Sequence, residues 1–209
     1  EEPGVGTYIF NSKDMNLASH IKEILDSGAV DSLKIEGRTK SPYYAAVTAK
    51  AYRNAIDDYY DGKFEASKYQ RELYTTKNRG FTDAYLIHRP FEKTDSQNHD
   101  YALSKGSYEV TGLVTQDEEH FLCKYKVYPN EDIEIFTPMG EELAESENEI
   151  GKIFKKDGIY YMNVKKILTE TNKELESVHS GNVNKIKLPG TLPYLTMFRI
   201  ENVDGTIVE

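Results

Sequence analysis

The sequence predicts an α/β layer followed by an all-β part. In full, the expected fold is the last strand–helix units of a TIM-like (β/α) barrel and then a small antiparallel β-barrel domain. Three observations carry this. Residues 7–62 alternate short β-prone runs with helical patterns, which is how a parallel α/β layer reads. From Tyr108 onward the apolar period changes to two. A closed barrel of eight strand–helix units needs about 250 residues, so two such units in a chain of 209 residues fit the last quarter of one. Residues 1–94 are expected to hold that barrel portion with a connecting helix, and residues 95–209 the β-barrel domain.

The elements follow in order. Thr7-Tyr8-Ile9-Phe10 is a short continuous β-prone run, and Asn11 and Ser12 are good cap types for a following helix. That helix has apolar positions at Leu17, Ile21, Ile24 and Leu25, with Gly28 as its stop. Ser32-Leu33-Lys34-Ile35 reads as a second buried strand. Ser41-Pro42 is an N-cap followed by proline at the first helical position. The helix it opens runs through Ala45, Ala49, Tyr52, Ala55, Ile56 and Tyr59 to Gly62. A short helix from Ala66 to Tyr74 and a surface-crossing segment lead to a connection at Glu92–Lys105.

The second half reads as strands over 108–114, 121–127, 132–136, 150–154, 159–164, 185–188 and 197–200. Gln116-Asp117, Pro129-Asn130, Pro138-Met139-Gly140 and Asp157-Gly158 mark the turns between the earlier ones, and Asp-Gly is a strong hairpin signal. Short strands at this spacing argue a small antiparallel barrel.

Charge is placed unevenly. The net charge is −9, from 35 acidic and 26 basic side chains. Residues 1–94 carry 14 of each sign, and residues 95–209 carry 21 acidic and 12 basic. An anionic second half is a poor electrostatic partner for a phosphate backbone. The run Glu141, Glu142, Glu145, Glu147 and Glu149 reads as a solvated edge. No apolar run of roughly 18 residues occurs, and EEPGVG is not a secretory signal. One cysteine, Cys123, rules out a disulfide framework within these residues, and a cytoplasmic protein with no membrane contact is expected.

In parallel-strand barrels function sits on the loops after the strands. One such loop holds Lys13 and Asp14, and the next holds Glu36, Arg38 and Lys40. Lys13, Arg38 and Lys40 have the charge to bind an anionic substrate group, and Glu36 and Asp14 the chemistry to move a proton. The same residues could equally form an interstrand ion pair with helix caps. The five histidines have no metal-helix spacing. Cys123 reads as a core or edge residue, and no phosphate loop or nucleophile elbow occurs. The residues by themselves specify no reaction.

The segment YIFNSKDMNL, Tyr8–Leu17, together with SLKIEGRTKSPYYAAVTAKAYRNAID, Ser32–Asp57, resembles the C-terminal part of peptidase family U32, the collagenase-like proteases. The run KIEGR with the following K-S-x-Y-Y and A-Y-R carries the resemblance. Glu72–Tyr85 resembles the family's link between domains, and residues 108–200 its small C-terminal β-barrel more loosely. The resemblance implies a fragment covering about the last half of a typical member. It implies either tRNA wobble-uridine hydroxylation to 5-hydroxyuridine, with prephenate as a co-substrate, or collagenase-like peptidase activity. A third expectation is that the C-terminal barrel serves only as a binding module. The implied partners are tRNA or a protein substrate, and a second subunit of the same family. Some relatives hold an iron–sulfur cluster through cysteines, but Asn16 stands where many members have cysteine. No metal or cofactor is expected in these residues alone, because thiolate is the donor such clusters need.

Overall fold

The computed structural model describes residues 11–87, 89, 96–99, 104, 106–137 and 139–202. They form two compact units, one running through Ser107 and the other spanning Tyr108–Asn202. The expected strand at 7–10 lies outside the described residues.

The first unit is built on helices. A 3₁₀ turn at Ala18–His20 runs into α1 (Ile21–Asp26), followed by α2 (Pro42–Tyr60) and α3 (Ala66–Tyr74). The 3₁₀ turn begins one turn later than Asn11 and Ser12. Those residues instead pair with a distant segment: Asn11 Nδ2 donates to the Asn98 carbonyl at 2.8 Å, and Ser12 bridges to Gln97. Asn16 takes the capping role, since its Oδ1 accepts from the Ala18 N–H at 3.0 Å. Tyr52 OH accepts from the Leu17 N–H at 2.8 Å and donates to the same Asn16 oxygen at 3.3 Å.

The α2 helix starts where Ser41-Pro42 predicts. Ser41 Oγ accepts from the Tyr44 N–H at 3.2 Å, and Pro42 occupies the first helical position. Gly62 closes it in the left-handed region at φ 71°. Ala51 and Ala55 lie one turn apart and are small enough for α1 and α3 to approach. Ala18, Ile21, Ile24, Tyr69 and Leu73 complete that core. Burying an Ile or Leu side chain of this kind contributes about 1.5–3 kcal/mol. The buried Tyr69 hydroxyl donates to Asp58 Oδ2 at 2.7 Å.

Two short strands, β1 (Asp14–Met15) and β2 (Phe81–Thr82), pair in parallel. The strand expected at Ser32–Ile35 does not form. That segment is without regular structure, and Val30, Leu33 and Ile35 are 43%, 36% and 44% exposed. A strand exists only through a partner ladder, and none among the described residues reaches this segment.

The second unit is a curled antiparallel sheet. Its strands are β3 (Tyr108–Val114), β4 (His120–Cys123), β5 (Asp132–Phe136), β6 (Ser146–Glu147), β7 (Gly151–Lys156), β8 (Ile159–Val164), β11 (Ile186–Lys187) and β12 (Met197–Glu201). They lie in the order β11-β4-β3-β12-β5-β8-β7-β6. A separate pair, β9 (Ile167–Leu168) and β10 (Glu174–Leu175), reaches β11 through the bridge Thr169–Ile186. The β7–β8 hairpin turns at Asp157-Gly158 with φ 51° and 83°, both positive as a type I′ turn requires. The strand expected over 121–127 stops at Cys123. The Lys124 N–H turns back to the Thr111 carbonyl at 2.7 Å, and Val127 pairs separately with Val178.

The inner face carries Val114, Phe121, Ile133, Ile153, Met162, Val164 and Phe198. Gly112 makes room for the edge-to-face pair of Phe121 and Phe198, whose centroids lie 5.2 Å apart. A Cβ on Gly112 would sit 2.7 Å from the Phe121 ring. The two ends of the sheet meet without a ladder. Ser146 Oγ and Asn148 Nδ2 both donate to the Pro189 carbonyl, at 3.0 and 2.9 Å.

Candidate functional site

The β1–β2 pairing brings together charges far apart in sequence. Its register sets Asp14 opposite Phe81 and Met15 opposite Thr82, so Asp14 lies beside the Arg79-Gly80 turn. The Asp14 carboxylate accepts from Lys40 Nζ at 3.0 Å, from Arg79 Nη2 at 2.9 Å and from the Arg79 backbone N–H at 3.2 Å. Its side chain is only 11% exposed. Burial alone would push the Asp14 pKa up, but the bonds from Arg79 and Lys40 outweigh it and hold the carboxyl below its usual range.

Lys40 also lies over the Tyr44 ring, 5.1 Å from its centroid. Burial, with the Asp14 charge adding to it, pushes the Tyr44 phenol up. Lys13 lays its aliphatic stem across Gly80. A Cβ at Gly80 would meet its carbons at 3.6–3.7 Å. The Lys13 ammonium has no ion-pair or hydrogen-bond partner among the described residues.

A buried asparagine network fixes the turn that carries Arg79. Asn78 Oδ1 accepts from the Gly80 N–H at 2.9 Å, and Asn78 Nδ2 donates to the Thr76 carbonyl at 2.9 Å. Asn98 Nδ2 donates to the Arg79 carbonyl at 2.9 Å. Buried amides bonded in this way favour one geometry, because leaving such a group unpaired costs about 1–3 kcal/mol.

The structure therefore joins Asp14 and Lys40 and sets Lys13 beside them. Glu36 and Arg38 do not join the contact set. Both are exposed, and Glu36 lies 4.0 Å from Lys34 in a solvated pair. Arg79 was not among the residues singled out from sequence. The available signal was the Asn78-Arg79-Gly80 run, in which Gly80 adopts φ 82° and the preceding cation is held by the turn. Cys123 lies in the other unit, buried, with burial pushing its thiol up. Its Sγ–H donates to the Tyr125 carbonyl. With Asn16 Oδ1 used as a cap and one thiol in the sequence, these residues do not fit an iron–sulfur cluster. Among the described residues no group of His, Cys, Asp and Glu side chains is placed to hold a metal ion, and no helix is long and apolar enough to cross a membrane.

Residues 1–96 match the model of peptidase family U32, a stretch that covers the Asp14–Lys40–Arg79 cluster. The chain's relatives carry two kinds of name. It is 51% identical over 96% of its length to "tRNA hydroxylation protein P" of Helicobacter pylori (strain ATCC 700392 / 26695), spanning 48% of that protein. It is 39% identical over 65% of its length to the protein of the same name in Escherichia coli (strain K12), spanning 30% of it. A "Collagenase" of Porphyromonas gingivalis (strain ATCC BAA-308 / W83) is 28% identical over 73% of the chain and 32% of that protein. The chain thus spans about half the length of the Helicobacter relatives it matches. No solved structure matches it significantly.

Proposed function

We propose that the full-length protein takes part in tRNA hydroxylation, forming 5-hydroxyuridine at the wobble position, in the cytoplasm. The observation that carries this is the 51% identity to a tRNA hydroxylation protein along nearly the whole chain. The surplus of cations around Asp14 supports it, because RNA and small carboxylate co-substrates such as prephenate are both anionic.

In this reading the helical unit is the end of a TIM-like (β/α) barrel completed by chain upstream. The exposed Val30, Leu33 and Ile35 support that, as apolar side chains suited to a missing neighbour strand. Lys13, Lys40 and Arg38 meet the anionic substrate, and Glu36 serves as the proton-moving group. The lower identity to collagenase-named relatives makes peptidase activity the second reading. A partner subunit of the same family would complete whatever this protein lacks.

Nucleoside mass spectrometry of tRNA from cells with and without the full-length gene tests the proposal. Loss of 5-hydroxyuridine derivatives on deletion is expected. Unchanged tRNA in a strain without a paralogue would overturn it, and gelatin cleavage by the purified full-length protein would then favour the second reading.

A further inference from the structure

We propose that Arg79, Lys40 and Lys13 form a subsite for an oxyanion, with Asp14 as its positioning residue. Asp14 lies 2.9 Å from Arg79 Nη2 and 3.0 Å from Lys40 Nζ. One carboxylate cannot neutralise both Arg79 and Lys40, so the contact set keeps a surplus of positive charge, and Lys13 lies next to Asp14 in the chain with its stem across Gly80. Asp14 uses only Nη2 of the Arg79 fork, and the Nε and Nη1 donors have no partner among the described residues. The Arg79 side chain is 34% exposed, and the Asp14 beneath it 11%. The carboxylate is thus covered while about a third of the Arg79 side chain stays open to solvent.

The arrangement has the parts a bidentate oxyanion receptor needs. A guanidinium held at one end presents its remaining planar donors to a carboxylate or phosphate with little orientational freedom left to lose. The Asn78 and Asn98 amides hold the backbone on both sides of Arg79. Gly80 leaves the face open for the Lys13 stem. Asp14, kept ionised by its partners, orients Arg79 and Lys40 and takes no proton.

The shared ligand chemistry is an oxyanion, either an RNA phosphate or a small carboxylate. The proposal rests on the tRNA reading only for its RNA arm. Both arms use full-length protein. Fluorescence anisotropy reads binding of a labelled anticodon stem–loop RNA over a salt series, and calorimetry reads binding of malonate. Arg79→Gln should weaken one of these at least tenfold, and Arg79→Lys should recover part of the loss. Asp14→Asn should weaken the same ligand by a smaller factor. A phosphate ligand lowers RNA affinity and reduces the salt slope by about one unit. A carboxylate ligand lowers malonate affinity and leaves RNA binding unchanged.

Should Arg79→Gln fail to fold, Lys13→Gln, whose ammonium has no partner among the described residues, carries the same test. Equal binding of both probes by wild type and variant overturns the proposal, as does wild-type protein that binds neither. Unchanged tRNA nucleosides on gene deletion would defeat the hydroxylation reading and leave a malonate result standing.

Discussion

Arg199 and Glu134 face each other across β12 and β5, and Arg199 Nε donates to Glu134 Oε1 at 2.9 Å. The pair is buried, with side chains 7% and 9% exposed. Tyr108 and Phe136 flank the guanidinium, with ring centroids 4.7 and 5.2 Å from it. Removing the Glu134 charge takes a buried ionic partner from a guanidinium held between aromatic rings. Glu134→Gln should therefore destabilise the sheet unit by roughly 3–5 kcal/mol, whereas the double variant Glu134→Leu with Arg199→Met should fall much closer to wild type. Urea denaturation of the three proteins decides it. A cost for Glu134→Gln under about 1 kcal/mol would show that the pair is solvated.

The Tyr108 phenol, half-buried and beside Glu134, is pushed up to about 12 from 10. The folded state holds this proton where the unfolded chain has released it. Its contribution is therefore complete below pH 10 and is lost as the pH rises from 10 to about 12. Tyr108→Phe should flatten the decline in melting temperature over that window. An unchanged decline would assign the alkaline loss to other groups.

Asn16 serves the backbone. Asn16→Ala removes the acceptor of the Ala18 N–H and of the Tyr52 hydroxyl, and should cost roughly 1–2 kcal/mol. Asn16→Asp keeps an acceptor there and should stay within about 0.5 kcal/mol. Denaturation of the full-length variants checks both. Equal stability of Asn16→Ala and wild type would remove the capping role.

Gly151 opens β7 where the chains come close. A Cβ there would lie 2.1 Å from the Asn163 carbonyl oxygen, so the strands must part to admit it. Gly151→Ala should cost about 1–3 kcal/mol or more, through overpacking against backbone that cannot swing aside. Gly158→Ala, in the hairpin turn with nothing near its Cβ position, should cost only the strain of a positive φ, about 1 kcal/mol. Thermal melts of the two variants should rank in that order.

What could be read in the sequence depended on whether the cause was local. Ser41-Pro42 marks the start of α2 because cap and proline act within one turn. Asp157-Gly158 marks the β7–β8 hairpin because the turn itself demands positive φ. Ser32–Ile35 has the residues of a strand, but strand formation needs a ladder supplied from elsewhere, and no local pattern announces whether one arrives. The two-residue strands β1 and β2 are too short to show any period.

The charge cluster was legible only in part for the same reason. Residue type singles out Lys13, Asp14 and Lys40 on expected loops; the structure sets Asp14 in β1 and joins it to Lys40. Arg79 lies 65 residues from Asp14, and only the parallel pairing makes them neighbours. Asn11 reads in sequence as a helix cap, and the buried Asn78 and Asn98 read as ordinary connecting residues. Their use as interior fixtures depends on which carbonyls the fold leaves unpaired.

The Pro189 carbonyl that takes both Ser146 and Asn148 has a consequence for how this protein meets others. A curled sheet left open at its last strands would be a template on which any extended chain could add itself. Here one terminal strand, β6, is two residues long and turned toward that carbonyl, and β11 at the other end is bridged by Thr169. Both ends of the sheet thus offer little length for strand addition. Recognition by this unit is then left to side chains and loops, which sequence change can tune one residue at a time.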